Sequence, residues 1–397
     1  MINKRHHFVP QYYLKQFRAD ETNRILVCLV DPYRCVGLGA IKGQCKSDHF
    51  YGKDGLTDAL LQETERQIAP VLYATNKSEV ASTEQWQALR LLAVQLHLRT
   101  NKATELAKVF PRFAADQFIS AAIKKGDLPP PKGGWQANMM DFDGVPQTLI
   151  GLNLLSCFFE TATLRYKILR APPGHFFITS DHPSVTLNQF ASDAQSVRDY
   201  VGFAQSGFQL VLPLGPSTCA FLYDPCVYKV GNRRDEIVLL EPQDVEILNS
   251  LQVQSAENCV YAHTQEMESK VRQLVARYAR LRKPTTAGLK MFPQNDHETL
   301  VMSSSLPPVL PNRWRFCGYC RNIRCNVGDR RDPGMTHLIQ LLIEDMEADP
   351  RAIELPDRLE KIVARQPADT PIIALRRPEL LGVRLPTTPK EWKTGMQ

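Results

Sequence analysis

Apolar residues along the chain fall into stretches of two different periods. Near the start, Tyr13, Leu14 and Phe17 stand at i, i+1 and i+4, one face of a helix. Pro10 suits the first position of that helix, where its missing N–H has no partner in any case. Ile25 to Val30 is a continuous apolar run ended by Asp31-Pro32, the pattern of a buried strand and its turn. From there to Gly55 the chain reads as loop. Two helices follow. Asp58 caps the first, whose apolar face runs through Leu60, Leu61, Ile68, Val71 and Leu72. Ser82 or Thr83 caps the second, with Trp86, Leu89, Leu92, Ala93 and Leu96 on its core face. A further helical stretch covers Glu105 to Ile123, and the Pro- and Gly-rich run Gly126 to Gly134 breaks it.

The second half mixes the two periods. A helix is predicted over Val145 to Phe159, then a strand over Ala162 to Leu169 and another over Phe176 to Ser180. Phe208 to Leu214 and Cys219 to Asp224 read as a strand pair joined by a Gly-Pro-Ser turn. Asp244 caps a helix through Asn249, Val253 and Ala256; Val260 to Ala262 is a short strand, and Glu266 to Leu281 a last helix. Past Lys283 the pattern loosens, with 284–312 polar and Pro-containing, a linker. The remainder, 313–397, is a C-terminal appendage with helices near Met335 to Met346 and Leu355 to Ala364. The expectation is an α+β core over 1–283, a mainly helical layer packed on a small, mostly antiparallel sheet, with that appendage beyond it. No internal repeat is visible.

Composition narrows this little. The 397 residues are 43% hydrophobic and 23% charged, ordinary for a globular chain long enough for two or three domains. A net charge of +6 permits an acidic or nucleic-acid partner without demanding one. No apolar run reaches membrane-spanning length, and Met-Ile-Asn-Lys-Arg leads into no secretory core. Ten scattered cysteines read as mostly reduced, so the expected location is cytoplasmic.

Candidate chemistry begins at His6 and His7, beside Lys4 and Arg5 and just ahead of the first predicted helix. Such a place favours an anion or phosphate, with imidazoles serving as acid/base groups or as ligands to a divalent metal. The plainer reading is a helix lead-in whose histidines bond to backbone. Ser180-Asp181-His182-Pro183 ends a strand and holds a carboxylate rigidly, either for a site or simply to cap its own turn. Gln95 and Arg99 stand four apart on a helix. The guanidinium suits a phosphate or carboxylate clamp, or else an ion pair with Glu63 or Glu65. Asn249 and Gln252 are equally open. Cys45 to His49 fits no standard zinc spacing, whereas Cys317, Cys320 and Cys325, with His337 beyond, form half a zinc site in a basic knuckle suited to nucleic acid. There is no glycine-rich phosphate loop and no Gly-x-Ser-x-Gly elbow.

His6-His7-Phe8-Val9-Pro10-Gln11-x-Tyr13-Leu14-x-x-Phe17 resembles the opening signature of the bacterial domain-of-unknown-function 4238 family. Phe50-Tyr51 with Glu63-Thr64-Glu65, Gln95-x-x-x-Arg99-Thr100 and Thr179-Ser180-Asp181-His182-Pro183 are similar to its later motifs, and Phe208 to Pro216 and Asn249 fit as well. The resemblance covers about 4–265. It implies a common fold and one site in which His6, His7, Arg99 and Asp181 act, with Gln11, Gln95, Ser180 and Asn249 binding a ligand. Those residue types suit hydrolysis or transfer at a phosphodiester, RNA or DNA included. The alternative is a non-catalytic sensing or binding module whose His/Asp cluster is structural. The His-His-x-x-Pro opening also resembles histidine–metal nucleases, but their further Asn and His are missing.

Overall fold

Aromatic residues build the N-terminal segment into the protein. The computed structural model describes residues 4–52, 56–77, 83–136, 154, 156–193, 202–283, 288–294, 297–303, 308–321 and 323. Arg5–His7 forms β1, and Gln11–Leu14 forms α1, a single turn that tightens into a 3-10 turn at Lys15–Phe17. Pro10 is extended (φ −64, ψ 146) and stands at the N-cap, one position earlier than expected. Val9, Tyr13, Leu14 and Phe17 have no exposed surface at all. The expected helical face is therefore real, but it plugs a core rather than opening a ligand site.

β2 (Arg24–Val30) pairs with β3 (Tyr33–Ala40), so the first part of the stretch read as loop is strand. Its glycines hid it. A Cβ at Gly39 would sit 2.9 Å from Val27 Cγ2, and Gly37 has φ +89 beside the register shift. Cys28 and Cys35 lie opposite each other in this hairpin and form a disulfide; seven other described cysteines are free. β4 (Lys46–Asp48) pairs with β1, setting His6 opposite Ser47.

The two expected helices follow as α2 (Leu56–Lys77) and α3 (Thr83–Leu98), packed through Leu61, Ile68, Leu72, Trp86, Leu89, Leu92, Ala93 and Leu96. The next stretch divides into α4 (Asn101–Ala107) and α5 (Val109–Lys125), which ends where Gly126 takes a left-handed cap at φ 83. Residues 156–160 are helical (α6); the earlier part of that predicted helix lies outside the described residues.

The remaining elements are β5 (Arg165–Arg170), β6 (Thr179–Ser180), β7 (Val185–Leu187), α7 (Gln189–Asp193), β8 (Gln209–Gly215), β9 (Thr218–Tyr223), β10 (Tyr228–Val230), β11 (Ile237–Leu239), α8 (Pro242–Ser255), β12 (Cys259–Ala262) and α9 (Glu268–Tyr278). Glu241, not Asp244, is the N-cap of α8, and Pro242 fills its first turn; Asp244 follows inside that turn and accepts the Arg315 N–H.

Two sheets organise them. One has the order β11-β5-β9-β8-β7, the other β3-β2-β12-β6, and the β11–β5 pair alone among them is parallel. Alternation along β8 sends Leu210, Leu212 and Leu214 against α2 and α3, while Val211 joins Phe221, Leu248 and Leu251 on the other face. A third core packs Leu26, Val30, Val260 and Ala262 against Val271, Val275 and Tyr278 of α9. The fold is α+β, with several small, mostly antiparallel sheets among the described residues. Among the described residues no helix is long and apolar enough to cross a membrane.

Within 284–312, read as linker, Gly288–Gln294 (β13) and His297–Ser303 (β14) form an antiparallel hairpin. The chain then returns. Trp314, Phe316 and Cys317 are buried against Phe221, and Cys317–Tyr319 (β15) pairs with β10. The two predicted helices of the appendage lie outside the described residues.

Candidate functional site

Arg99, just past the end of α3, is the hub of a first polar cluster. Its side chain is 3% exposed and spends every nitrogen on the protein. Nη1 donates to Glu65 Oε1 at 2.6 Å, Nε to the Tyr51 hydroxyl at 2.8 Å, and Nη2 to the His7 carbonyl at 2.9 Å. Burial disfavours the cation, but the Tyr51 hydroxyl and the Glu65 carboxylate outweigh it and hold Arg99 above the ordinary arginine range. Burial also pushes the Tyr51 hydroxyl up to about 12, and that hydroxyl donates to the His7 carbonyl. The ion-pair reading, with Glu65 as partner, is the one this geometry fits.

His6 is buried on β1. Its ring stacks on Tyr51 at 5.5 Å, and its Nδ1 accepts the Tyr51 N–H at 3.0 Å. His7 is half-buried, with Nε2 facing the Lys42 carbonyl at 3.4 Å. Burial lowers its pKa below 6.5, and Lys46 and Arg99 push the same way against the Lys42 carbonyl. Both histidines precede α1 as expected, but they lie on a paired strand, and a single helical turn has little dipole to offer an anion. Gln95 donates to Thr64 Oγ1 at 2.6 Å, and its buried Oε1 has no hydrogen-bond partner among the described residues. Gln11 opens α1 half-buried.

Asp181 anchors a second cluster. Oδ1 accepts the Glu257 N–H at 2.8 Å, and Oδ2 accepts those of Asn258 and Cys259 at 2.7 and 3.0 Å. Burial raises its pKa, opposed by these three donors and by the Lys102 ammonium. Ser180 Oγ donates to Gln252 Oε1 at 2.9 Å. Asn249 accepts the Ile178 N–H and donates to the Phe176 carbonyl, each at 2.9 Å, while Gln252 Nε2 donates to the Pro183 carbonyl at 2.9 Å. The polar face of α8 thus pairs with the backbone of 176–183 as a neighbouring strand would.

His182 turns away from the N-terminal histidines. Its Nδ1 meets Thr100 Oγ1, and its ring lies 5.6 Å from that of His97. Burial depresses both, His97 to about 4. Sequence reasoning singled out neither His97 nor Lys102, whose ammonium donates to the Ser255 carbonyl at 3.0 Å. No spacing signal marks either, because their partners lie far along the chain.

The expected single site is therefore two clusters. His6, His7 and Arg99 share one, and Asp181 belongs to the other with no hydrogen bond or ion pair to them among the described residues. A divalent metal does not fit either, since the oxygens of Asp181 are occupied by N–H groups and His6 Nδ1 by Tyr51. Among the described residues no group of three His, Cys, Asp or Glu side chains is placed to hold an ion. For the expected zinc site, Cys317 faces the core and burial pushes its thiol up to about 12. Cys320 Sγ turns to the Pro225 carbonyl at 3.7 Å, and Cys325 and His337 lie outside the described residues.

A family model described as protein of unknown function (DUF4238) matches residues 5–125 and 146–266. The chain belongs to this family. Both polar clusters lie within the matched residues, and the family match stops before β13. No curated protein and no solved structure matches the chain.

Proposed function

We propose that this DUF4238 protein is a non-catalytic binding or sensing module whose histidine, arginine and aspartate residues brace the fold. One observation carries the reading: Arg99 gives all its nitrogens, and Asp181 both its oxygens, to groups of the protein itself. A catalytic or ligand-clamping group presents its polar atoms to a substrate, and here each of these atoms is turned to a group of the protein. The His6→Ala protein then melts several degrees lower, as the loss of a buried network of about 1–3 kcal/mol requires, with ligand binding retained.

The second reading is a hydrolase acting on a phosphodiester, nucleic acid included, and His7 supports it. It is half-buried, its pKa is lowered by burial, which favours the neutral ring, and with Nε2 toward Lys42 its Nδ1 is the basic nitrogen. Hydrolysis of bis(p-nitrophenyl) phosphate and of RNA and DNA, with and without added divalent metal, separates the two. Activity lost in a folded His7→Ala protein supports the hydrolase. No activity, or activity untouched by that change, supports the brace.

A further inference from the structure

A concavity of about 600 Å³ lies away from both clusters, and Arg165, Lys167, Arg233, Arg234 and Glu236 are among the residues lining it. Arg165 opens β5 opposite Tyr223 of β9, and Arg233 and Arg234 sit on the loop between β10 and β11. That loop is pinned at both ends. Gly231 has φ +52, and a Cβ there would come within 2.9 Å of Val238 Cγ2. The Lys167 ammonium donates to the Asn232 carbonyl at 2.8 Å and to the Asp235 carbonyl as well. Lys167 therefore spends its charge holding the loop against β5, and the loop carries two arginines to the same concavity as Arg165.

Arg165, Arg233 and Arg234 are exposed, and none has an ion-pair partner among the described residues. Glu236, the carboxylate in the lining, accepts from the Tyr166 hydroxyl at 3.2 Å through one oxygen, and its other oxygen is buried. Three guanidinium groups held around one space repel one another, and a multiply charged anion relieves that repulsion. Guanidinium matches phosphate oxygens two at a time, which ammonium does not. The volume suits a small ligand rather than a duplex groove, and the lining is too charged for an apolar one. We propose that this concavity binds a compact polyphosphate, either inorganic or the phosphate chain of a nucleoside di- or triphosphate. The site shares no residue with the brace, so the fate of one reading leaves the other standing.

The test is calorimetric titration of the full-length protein with inorganic tripolyphosphate, with a nucleoside triphosphate and with a single-stranded oligonucleotide. Saturable binding of tripolyphosphate that weakens with added salt is expected, and a fall of about tenfold or more in Arg233→Gln/Arg234→Gln and in Arg165→Gln. These surface changes leave the melting temperature unchanged, so lost binding is not lost folding. Tighter binding of the nucleotide identifies a nucleoside polyphosphate as the ligand, and equal binding an inorganic one. Absence of tripolyphosphate and nucleotide binding, binding of the oligonucleotide alone, or affinity unchanged in both variants overturns the proposal.

Discussion

Arg99 holds the chain at His7 by its backbone: the guanidinium donates to the His7 carbonyl at 2.9 Å, while the His7 ring lies half-buried against the Lys42 carbonyl. The arginine that looked like a clamp for a ligand is a clamp for β1. It reaches across 92 positions of sequence to do this.

Arg99→Met should destabilise the protein by about 3 kcal/mol, because Glu65 loses its cation, the His7 carbonyl loses one of its two donors and the Tyr51 hydroxyl loses the Nε donor together. The melting temperature should fall by roughly 4–5 °C. Arg99→Lys should recover little, since one ammonium cannot reach three acceptors held by a planar fork. Urea unfolding of the three proteins measures this. A loss below about 1 kcal/mol in Arg99→Met would remove the brace as the role of this residue.

Stability should fall as the solution is acidified through the histidine range. His97 titrates near 4 in the folded protein against 6.5 for an unperturbed imidazole. A depressed folded pKa means the unfolded chain takes the proton first. The contribution is complete above about 6.5 and lost as pH falls toward 4, by roughly 2 kcal/mol at pH 5. His182, depressed the same way, adds to the slope. In His97→Gln the urea midpoint should change less between pH 7.5 and 5 than in the wild type; parallel curves would rule His97 out as a source.

Removal of residues 308–397 should be far more damaging than removal of 324–397. Trp314 is 3% and Phe316 9% exposed, and both rings meet Phe221 edge-on at 5.5 and 5.3 Å. Loss of a buried aromatic side chain costs about 3–5 kcal/mol. The shorter chain should bind a hydrophobic dye and aggregate, and it should melt well below the longer one. Equal stability of the two would place these aromatic residues outside the core.

What the sequence made legible follows from the range of the forces involved. The faces of α2 and α3 and the β8–β9 pair were readable because apolar period is local, and the Glu65 partner of Arg99 was within reach as one of two alternatives. β3 was not, since Gly37 and Gly39 mimic a loop. The order of the two polar clusters was not legible either. Asp181 and His6 share residue types with a metal site, and only the tertiary fold decides that the Glu257 and Tyr51 N–H groups reach them first. The arginine concavity had no linear signature, because Arg165 and Arg233 meet only once Lys167 has drawn in the loop.

The polar face of α8 has a mechanical consequence. β6 is two residues long, and beyond it Asn249, Gln252 and Ser255 bond to Phe176, Ile178, Ser180, His182 and Pro183. A greasy contact tolerates slippage, because one methyl group replaces another. Sliding α8 by one residue moves each of these side chains about 1.5 Å along the axis and roughly 100° around it, so all five bonds fail together. The helix is a keyed joint between the two sheets, with one seating and no half-steps.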